Sequence, residues 1–273
     1  MRTLAQISDL HFGRTDPRAI DALARDLHEQ KPDVLIVSGD LTQRARASQF
    51  RKAAAFLARL PSPQIIIPGN HDVPLFNVIR RFFFPLQRYT QLITDDLAPA
   101  YKDDQIAILG VNSARSWTWS IDGFWKDGRL SDEQLQEIRR YFEQFSEPFF
   151  KVLVTHHPFI PPPGERRHGI IGRSAMALDM LERAGVDMLL AGHLHLGYSG
   201  DVRTHHEAVK RSILSVQAGT ATSTRKREEA NAWNFITVGG EQVTISVRAL
   251  TGQTFEQITL TRYTRSEGIW RQE

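Results

Sequence analysis

The sequence contains no cysteine. Disulfide staples, thiolate nucleophiles and thiolate metal ligands are therefore excluded, and any metal must be held by His, Asp, Glu or Asn. Long apolar runs are also missing. The stretch from Met1 to Ser8 reaches charge at Asp9 and is too short for a secretory leader. No segment approaches the roughly 18 apolar residues that cross a bilayer. These absences point to a cytoplasmic location. Charge of one sign is scarce as well: 34 Lys+Arg against 31 Asp+Glu leave +3 over 273 residues. With a pI near 9.3, that excess permits an anionic substrate without the polyelectrolyte signature of a nucleic-acid binder. What remains, 41% hydrophobic and 24% charged residues, is an ordinary globular mixture able to bury a sizeable core.

Apolar periodicity predicts alternating strands and helices through the first two-thirds of the chain. Leu4 to Ser8 reads as a strand. A helix follows from Pro17, with Ile20, Leu23, Ala24 and Leu27 at helical spacing. Val34 to Val37 and Ile65 to Ile67 are short continuous apolar runs, as expected of strands buried on both faces. This order implies right-handed crossovers and a mainly parallel sheet. Residues 73–100 read as a helical excursion able to cap the body. Ile106 to Val111, Phe149 to Thr155 and Val186 to Leu190 are further strands, and Ser131-Asp132-Glu133-Gln134 is a capping box opening another helix. Beyond Gly192, strands at Ser212 to Gln217, Trp233 to Val238, Val243 to Val247 and Phe255 to Leu260, with a Gly239-Gly240 hairpin turn, suggest a second, largely antiparallel sheet. A single domain over 1–262 is expected, followed by an exposed polar tail at 263–273.

The metal-type residues fall in a pattern. Asp9-Leu10-His11 follows the first strand, Gly39-Asp40 the second and Gly69-Asn70-His71-Asp72 the third. His156-His157 and Gly192-His193-Leu194-His195 follow two later strands. Each cluster lies just past a strand's C-terminal end, the edge of an open α/β sheet where sites assemble. Asp9, His11, Asp40, Asn70, His156, His193 and His195 offer oxygen and nitrogen donors in excess of the roughly four that one Zn²⁺ takes. They suit two divalent ions sharing a carboxylate, which can bridge a water, ionise it to hydroxide near neutral pH and clamp a phosphoryl oxygen. Glycines before Asp40, Asn70 and His193 are expected to let the backbone turn sharply. The donor set suits Mn²⁺, Fe or Zn²⁺; Mg²⁺ disfavours imidazole.

The combined pattern, Asp-x-His, Gly-Asp, Gly-Asn-His-Asp, His and Gly-His-x-His, resembles the calcineurin-like metallophosphoesterase superfamily. The likeness covers Leu4 to Val238 and is similar in detail to bacterial class III cyclic nucleotide phosphodiesterases and glycerophosphodiesterases. It implies an α/β fold: a four-layer α/β/β/α sandwich of two mixed sheets flanked by helices, with a binuclear centre at the sheets' loops. By matching position, Asp9, His11 and His195 would hold one ion, Asn70, His156 and His193 the other, and Asp40 would bridge them. His157 would stand behind the ligands or at the surface. The resemblance further implies a phosphodiesterase; its leaving alkoxide needs a proton, for which His71, beside Asn70, is the candidate general acid, with Asp72 expected to orient it or to cap the segment beginning Val73-Pro74.

Substrate contacts are expected from Arg14, Asn112 and Arg115, with Gln43, Arg44 and Ser113 in similar loop positions, while Trp117 and Trp119 could stack on a base. The first substrate expectation is a small phosphodiester, cyclic-nucleotide-like. The Phe82-Phe83-Phe84 cluster between arginines reads as a helix packed on the body or on a homodimer partner. Its alternative reading, a lip at a membrane surface, would favour a nucleotide-linked lipid pyrophosphate, as in UDP-diacylglucosamine hydrolases. A nuclease is a further alternative, and the Arg225-Lys226-Arg227 tract its weak support.

Overall fold

The computed structural model describes residues 1–75, 77–115, 127–146, 148–163, 169–206, 209–224 and 229–273. Two mixed sheets face each other. The first combines β1 (Arg2–Ile7), β2 (Val34–Ser38) and β3 (Gln64–Ile67) with β10 (Ala232–Gly239), β11 (Gln242–Thr251), β12 (Thr254–Ser266) and β13 (Ile269–Gln272), in the order β13-β12-β11-β10-β1-β2-β3. The second contains β4 (Ala100–Lys102), β5 (Ile106–Gly110), β6 (Phe150–Val154), β7 (Met188–Ala191), β8 (Tyr198–Asp201) and β9 (Leu214–Gln217), in the order β4-β5-β6-β7-β9-β8.

Alternation along each strand builds the layers. Leu4, Val34, Ile36, Ile65 and Ile67 meet Ile108, Val152, Val154, Leu190 and Val216 between the sheets. Their neighbours Ala5, Ile7, Leu35 and Val37 turn the other way, onto α1 (Pro17–Gln30) and α2 (Ala47–Leu57). Leu109, Leu153 and Leu189 likewise pack on α5 (Asp132–Phe142) and α6 (Ser174–Arg183). The expected α/β/β/α sandwich is therefore the fold observed. Local signals acted as anticipated: the Ser131 hydroxyl accepts from Gln134 N at 3.2 Å while Gln134 Oε1 accepts from Ser131 N at 3.0 Å. Gly239 pairs with Gln242 across the predicted hairpin.

Three expectations change. The late strands do not form a sheet of their own. β9 runs parallel to β7 in the second sheet, whereas β10 pairs antiparallel with β1 and carries β11 to β13 onto the first. Residues 263–273 are not an exposed tail. They complete β12 and form β13, with Tyr263 and Trp270 buried in the intersheet core. The excursion at 73–100 is helical as expected, with α3 (Val78–Phe83) and α4 (Gln87–Leu92). Yet no residue of α3 is buried, and Phe82 and Phe83 are 53% and 66% exposed. Among the described residues no helix is long and apolar enough to cross a membrane.

Candidate metal centre

The site lies where the C-terminal ends of β1, β2, β3, β6 and β7 converge, so both sheets supply it. Backbone bonds lock the loops together: Asp9 N donates to Gly39 O at 3.1 Å, His11 N to Asp40 O at 2.9 Å and Gly192 N to His156 O at 3.0 Å. Asp9, His11, Asp40, His193 and His195 all occupy the left-handed region, with φ between 48° and 73°. Such strain in non-glycine residues persists only where the surroundings over-determine it, and it concentrates at functional sites.

The glycines act chiefly by leaving room. Gly39 does have φ of 96°, but a Cβ there would also lie 2.5 Å from His156 Nδ1. Gly192 is needed for space alone: a Cβ would lie 1.8 Å from Ser8 Oγ and 2.7 Å from Asp9 Oδ2. The His156 and Asp9 side chains thus take the volume that these two positions surrender.

All seven expected donors come together. Asp9 Oδ1 lies 3.5 Å from His11 Nε2 and 3.6 Å from His195 Nε2. Asp40 presents Oδ2 to His11 Nε2 at 3.6 Å and Oδ1 to His156 Nε2 at 3.4 Å. Asn70 Oδ1 is 3.1 Å, and His193 Nδ1 3.3 Å, from His156 Nε2. Asp9-His11-His195 and Asp9-Asp40-His156 are two of the groups able to hold a cation. Asp40 is fully buried, with one oxygen toward each side. Asp9 Oδ1 and Asp40 Oδ2 are buried and receive no hydrogen bond. A buried carboxylate oxygen with no donor is costly unless a cation faces it, so the residues present fit divalent metal ions.

The buried carboxylates and imidazoles shift one another: burial lowers His156, but Asp40 outweighs it and raises the imidazole to about 9. Burial pushes Asp9 upward, but the neighbouring His195, His11 and His156 imidazoles outweigh it and hold the carboxyl well below its usual range. Asp40 behaves the same way, burial being overcome chiefly by His156 and His71. His193, by contrast, is lowered to about 3 by burial and by the neighbouring His156. It is neutral across the physiological range, the form in which imidazole ligates metal.

Several orienting partners were not foreseen. His156 Nδ1 is 2.8 Å from Ser38 O, which accepts its N–H and leaves Nε2 facing Asp40. His195 Nδ1 contacts Thr220 Oγ1 on the loop after β9. His157 is fully buried. Its Nδ1 is 2.9 Å from Ser113 Oγ, and its ring centroid lies 4.4 Å from that of His193. Together with His156 and His193 it forms a further group able to hold a metal. A backbone carbonyl leaves no trace in side-chain patterns, whereas Ser113 and Thr220 follow strand tips and could have been found on that ground.

His71 offers a ring nitrogen within 4.8 Å of the donor atoms of His11 and Asp40. Asp72 does not orient it. Asp72 Oδ2 accepts from Leu41 N and Gly69 N at 3.0 and 2.9 Å, and Oδ1 from Thr42 N and Thr42 Oγ1 at 2.8 and 2.9 Å. It ties the Asp40 loop to the Gly69 turn. The atom beside His71 Nδ1 is Gln43 O, at 2.8 Å.

The expected substrate residues are less concentrated. Arg14 is exposed beside the His11 loop, with its carbonyl held by Thr224 N. Asn112 Oδ1 closes a local turn by accepting from Ala114 N at 2.9 Å, so Ser113 rather than Asn112 reaches the histidines. Arg115 is half-buried, and burial followed by Arg129 lowers its pKa. Trp117, Trp119, Trp125 and residues 225–227 lie outside the described residues.

Fold and site together define a metal-dependent phosphoesterase. Residues 2–197 match the model of the calcineurin-like phosphoesterase family, and the chain belongs to that family. It is 26% identical over 217 residues to a probable cyclic nucleotide phosphodiesterase of Synechococcus sp., covering 72% of this chain and 74% of that protein. It is 28% identical over 214 residues to a probable glycerophosphodiester phosphodiesterase GpdQ of Arcobacter nitrofigilis, covering 70% and 71%. Among solved structures, a dimetal phosphatase from Danio rerio aligns at a TM-score of 0.65 over 94% of this chain and 98% of its own, with 14% identity, a likeness of fold.

Proposed function

We propose that this chain is a two-metal phosphodiesterase acting on a small phosphodiester, with a cyclic nucleotide as the first candidate. The observation that carries the reading is Asp40, a single buried carboxylate whose two oxygens face His156 and His11 at 3.4 and 3.6 Å. Asp9, His11 and His195 would hold one cation, Asn70, His156 and His193 the other, with Asp40 shared. Mn²⁺, Fe and Zn²⁺ suit the mixed imidazole and carboxylate donors. When bound, such a pair neutralises phosphoryl oxygens and lowers the pKa of water toward neutrality.

The chain's own residues then do the rest. Gln43 O accepts the Nδ1 proton of His71 and so fixes the ring, leaving Nε2 to hold the proton that the departing alkoxide needs. Asp72 maintains the distance between the two loops that carry Asp40 and His71. Arg14 and Arg115 supply positive charge around the anion. The names of the two relatives support a diester substrate, and a net charge of only +3 gives no special support to a polyanionic one.

The test is hydrolysis of bis(p-nitrophenyl) phosphate with added Mn²⁺, alongside metal content. Asp40→Ala and Asn70→Ala should lose both hydrolysis and bound metal. A purified protein that takes up no divalent metal, or an Asp40→Ala variant of unchanged rate, would overturn the reading. A panel of cyclic nucleotides, glycerophosphodiesters, dinucleotides and nucleoside-diphosphate lipids then assigns the substrate.

A further inference from the structure

The helix α3 is inside out. Ten large apolar side chains are notably exposed among the described residues, and six of them, Leu75, Val78, Ile79, Phe82, Phe83 and Phe84, fall between residues 75 and 84. Their exposures run from 36% to 71%. At about 100° per residue, Val78, Ile79, Phe82 and Phe83 share one arc of about 140°, while Arg80 and Arg81 lie outside it. An ordinary surface helix buries the apolar arc and solvates the charged one. Here the four apolar residues are exposed and the two arginines are only partly so.

The charge of this segment is equally one-sided. From Val73 to Thr94 there are three arginines, Arg80, Arg81 and Arg88, and no Asp or Glu. The whole chain carries only +3. Aromatic and aliphatic side chains projecting outward from a segment that carries arginines and no acid match a lipid–water interface: the rings enter the acyl boundary, and the local positive charge favours anionic headgroups. A protein groove would have to match the apolar arc in shape; a bilayer needs only exposed apolar area and a local positive charge.

We propose that α3 and the flanking Leu75 and Phe84 form a docking surface for a bilayer containing anionic lipid. The surface begins within a few residues of the turn carrying Asn70 and His71, since buried Val73 anchors the chain between them. Docking therefore sets the metal centre close to the lipid plane while leaving its ligands untouched.

Vesicle co-sedimentation of the full chain tests this, with phosphatidylcholine vesicles compared with vesicles containing about one-third phosphatidylglycerol. The intact protein should bind the anionic vesicles. A Phe82→Ser/Phe83→Ser variant should bind roughly tenfold more weakly or worse, and Arg80→Gln/Arg81→Gln should lose most of the preference for anionic lipid. Both should hydrolyse bis(p-nitrophenyl) phosphate in lipid-free buffer as the unmodified protein does, which shows that they fold. No binding to either vesicle overturns the proposal. So does equal binding by the phenylalanine variant, or a concentration-dependent dimer that the phenylalanine substitutions abolish in the absence of vesicle binding. These outcomes are independent of the metal-dependent hydrolysis that tests the proposed function.

Discussion

The two ends of β7 are both buried and both charged, yet they are built on opposite terms. At its start, Asp187 is saturated: Oδ2 accepts from Lys151 N at 2.9 Å, and Oδ1 from Arg211 Nη2 at 2.7 Å and Arg265 Nη1 at 2.6 Å. Past its other end, His193 N donates to Asp9 Oδ2 at 3.0 Å, but Asp9 Oδ1 has no donor and faces only imidazoles. The first arrangement is complete within the protein and ties β13's neighbourhood to the second sheet. The second requires something the chain does not itself supply. Burial alone therefore says little about function; the number of oxygens left without a donor separates a structural aspartate from a ligand.

The contrast can be broken most severely by neutralising each aspartate in turn. Asp40→Asn should lower hydrolysis by at least about a hundredfold and reduce metal content, because one shared ligand is lost. Asp187→Asn should leave hydrolysis unchanged but lower unfolding free energy by about 2 kcal/mol, read by urea denaturation, since two arginines lose their common acceptor. If the two variants behaved alike, the distinction would fail. His71→Ala comes next. It should retain metal, lose about a hundredfold in rate on alkyl diesters and lose much less on p-nitrophenyl leaving groups that need no proton. Chelation should lower stability by about 3 kcal/mol relative to protein held at about 100 times the cation's dissociation constant, and re-addition should restore it.

The smallest effect belongs to the saturated end. The Glu241 carboxyl is lowered below its ordinary 4.5, first by the hydrogen bond from Arg265. A depressed carboxyl stabilises the fold above its unfolded value and loses that contribution as pH falls through the folded one. Glu241→Gln should therefore cost no more than about 0.5 kcal/mol at neutral pH, and nothing once acid has protonated the native glutamate.

Much of the centre could be read from the chain because each cluster is contiguous and sits at a strand tip. Asp9 and His11, or His193 and His195, announce themselves within three residues. The two-sheet sandwich followed from the motif likeness, whereas the distribution of late strands did not. Whether β9 joins β7 and β10 joins β1 is settled by long-range packing, and alternation in Val243 to Val247 is silent about its neighbour. The same holds for Asp72, whose proximity to His71 in sequence suggested a partnership. In three dimensions its oxygens are claimed by Leu41, Thr42 and Gly69. Residues 263–273 looked like tail because their polarity is genuine on one face; Trp270 on the other face is what fastens them.

The position of β1 between β2 and β10 bears on how the protein is made. On the ribosome, the first strand is synthesised more than two hundred residues before the antiparallel neighbour that completes it. Until residue 238 has emerged, one side of β1 offers a bare row of amide and carbonyl groups, an invitation to mispairing. Maturation of this part of the nascent chain accordingly waits for β10, and the loop bearing Asp9 and His11 acquires its final rigidity only after residue 238 has been made.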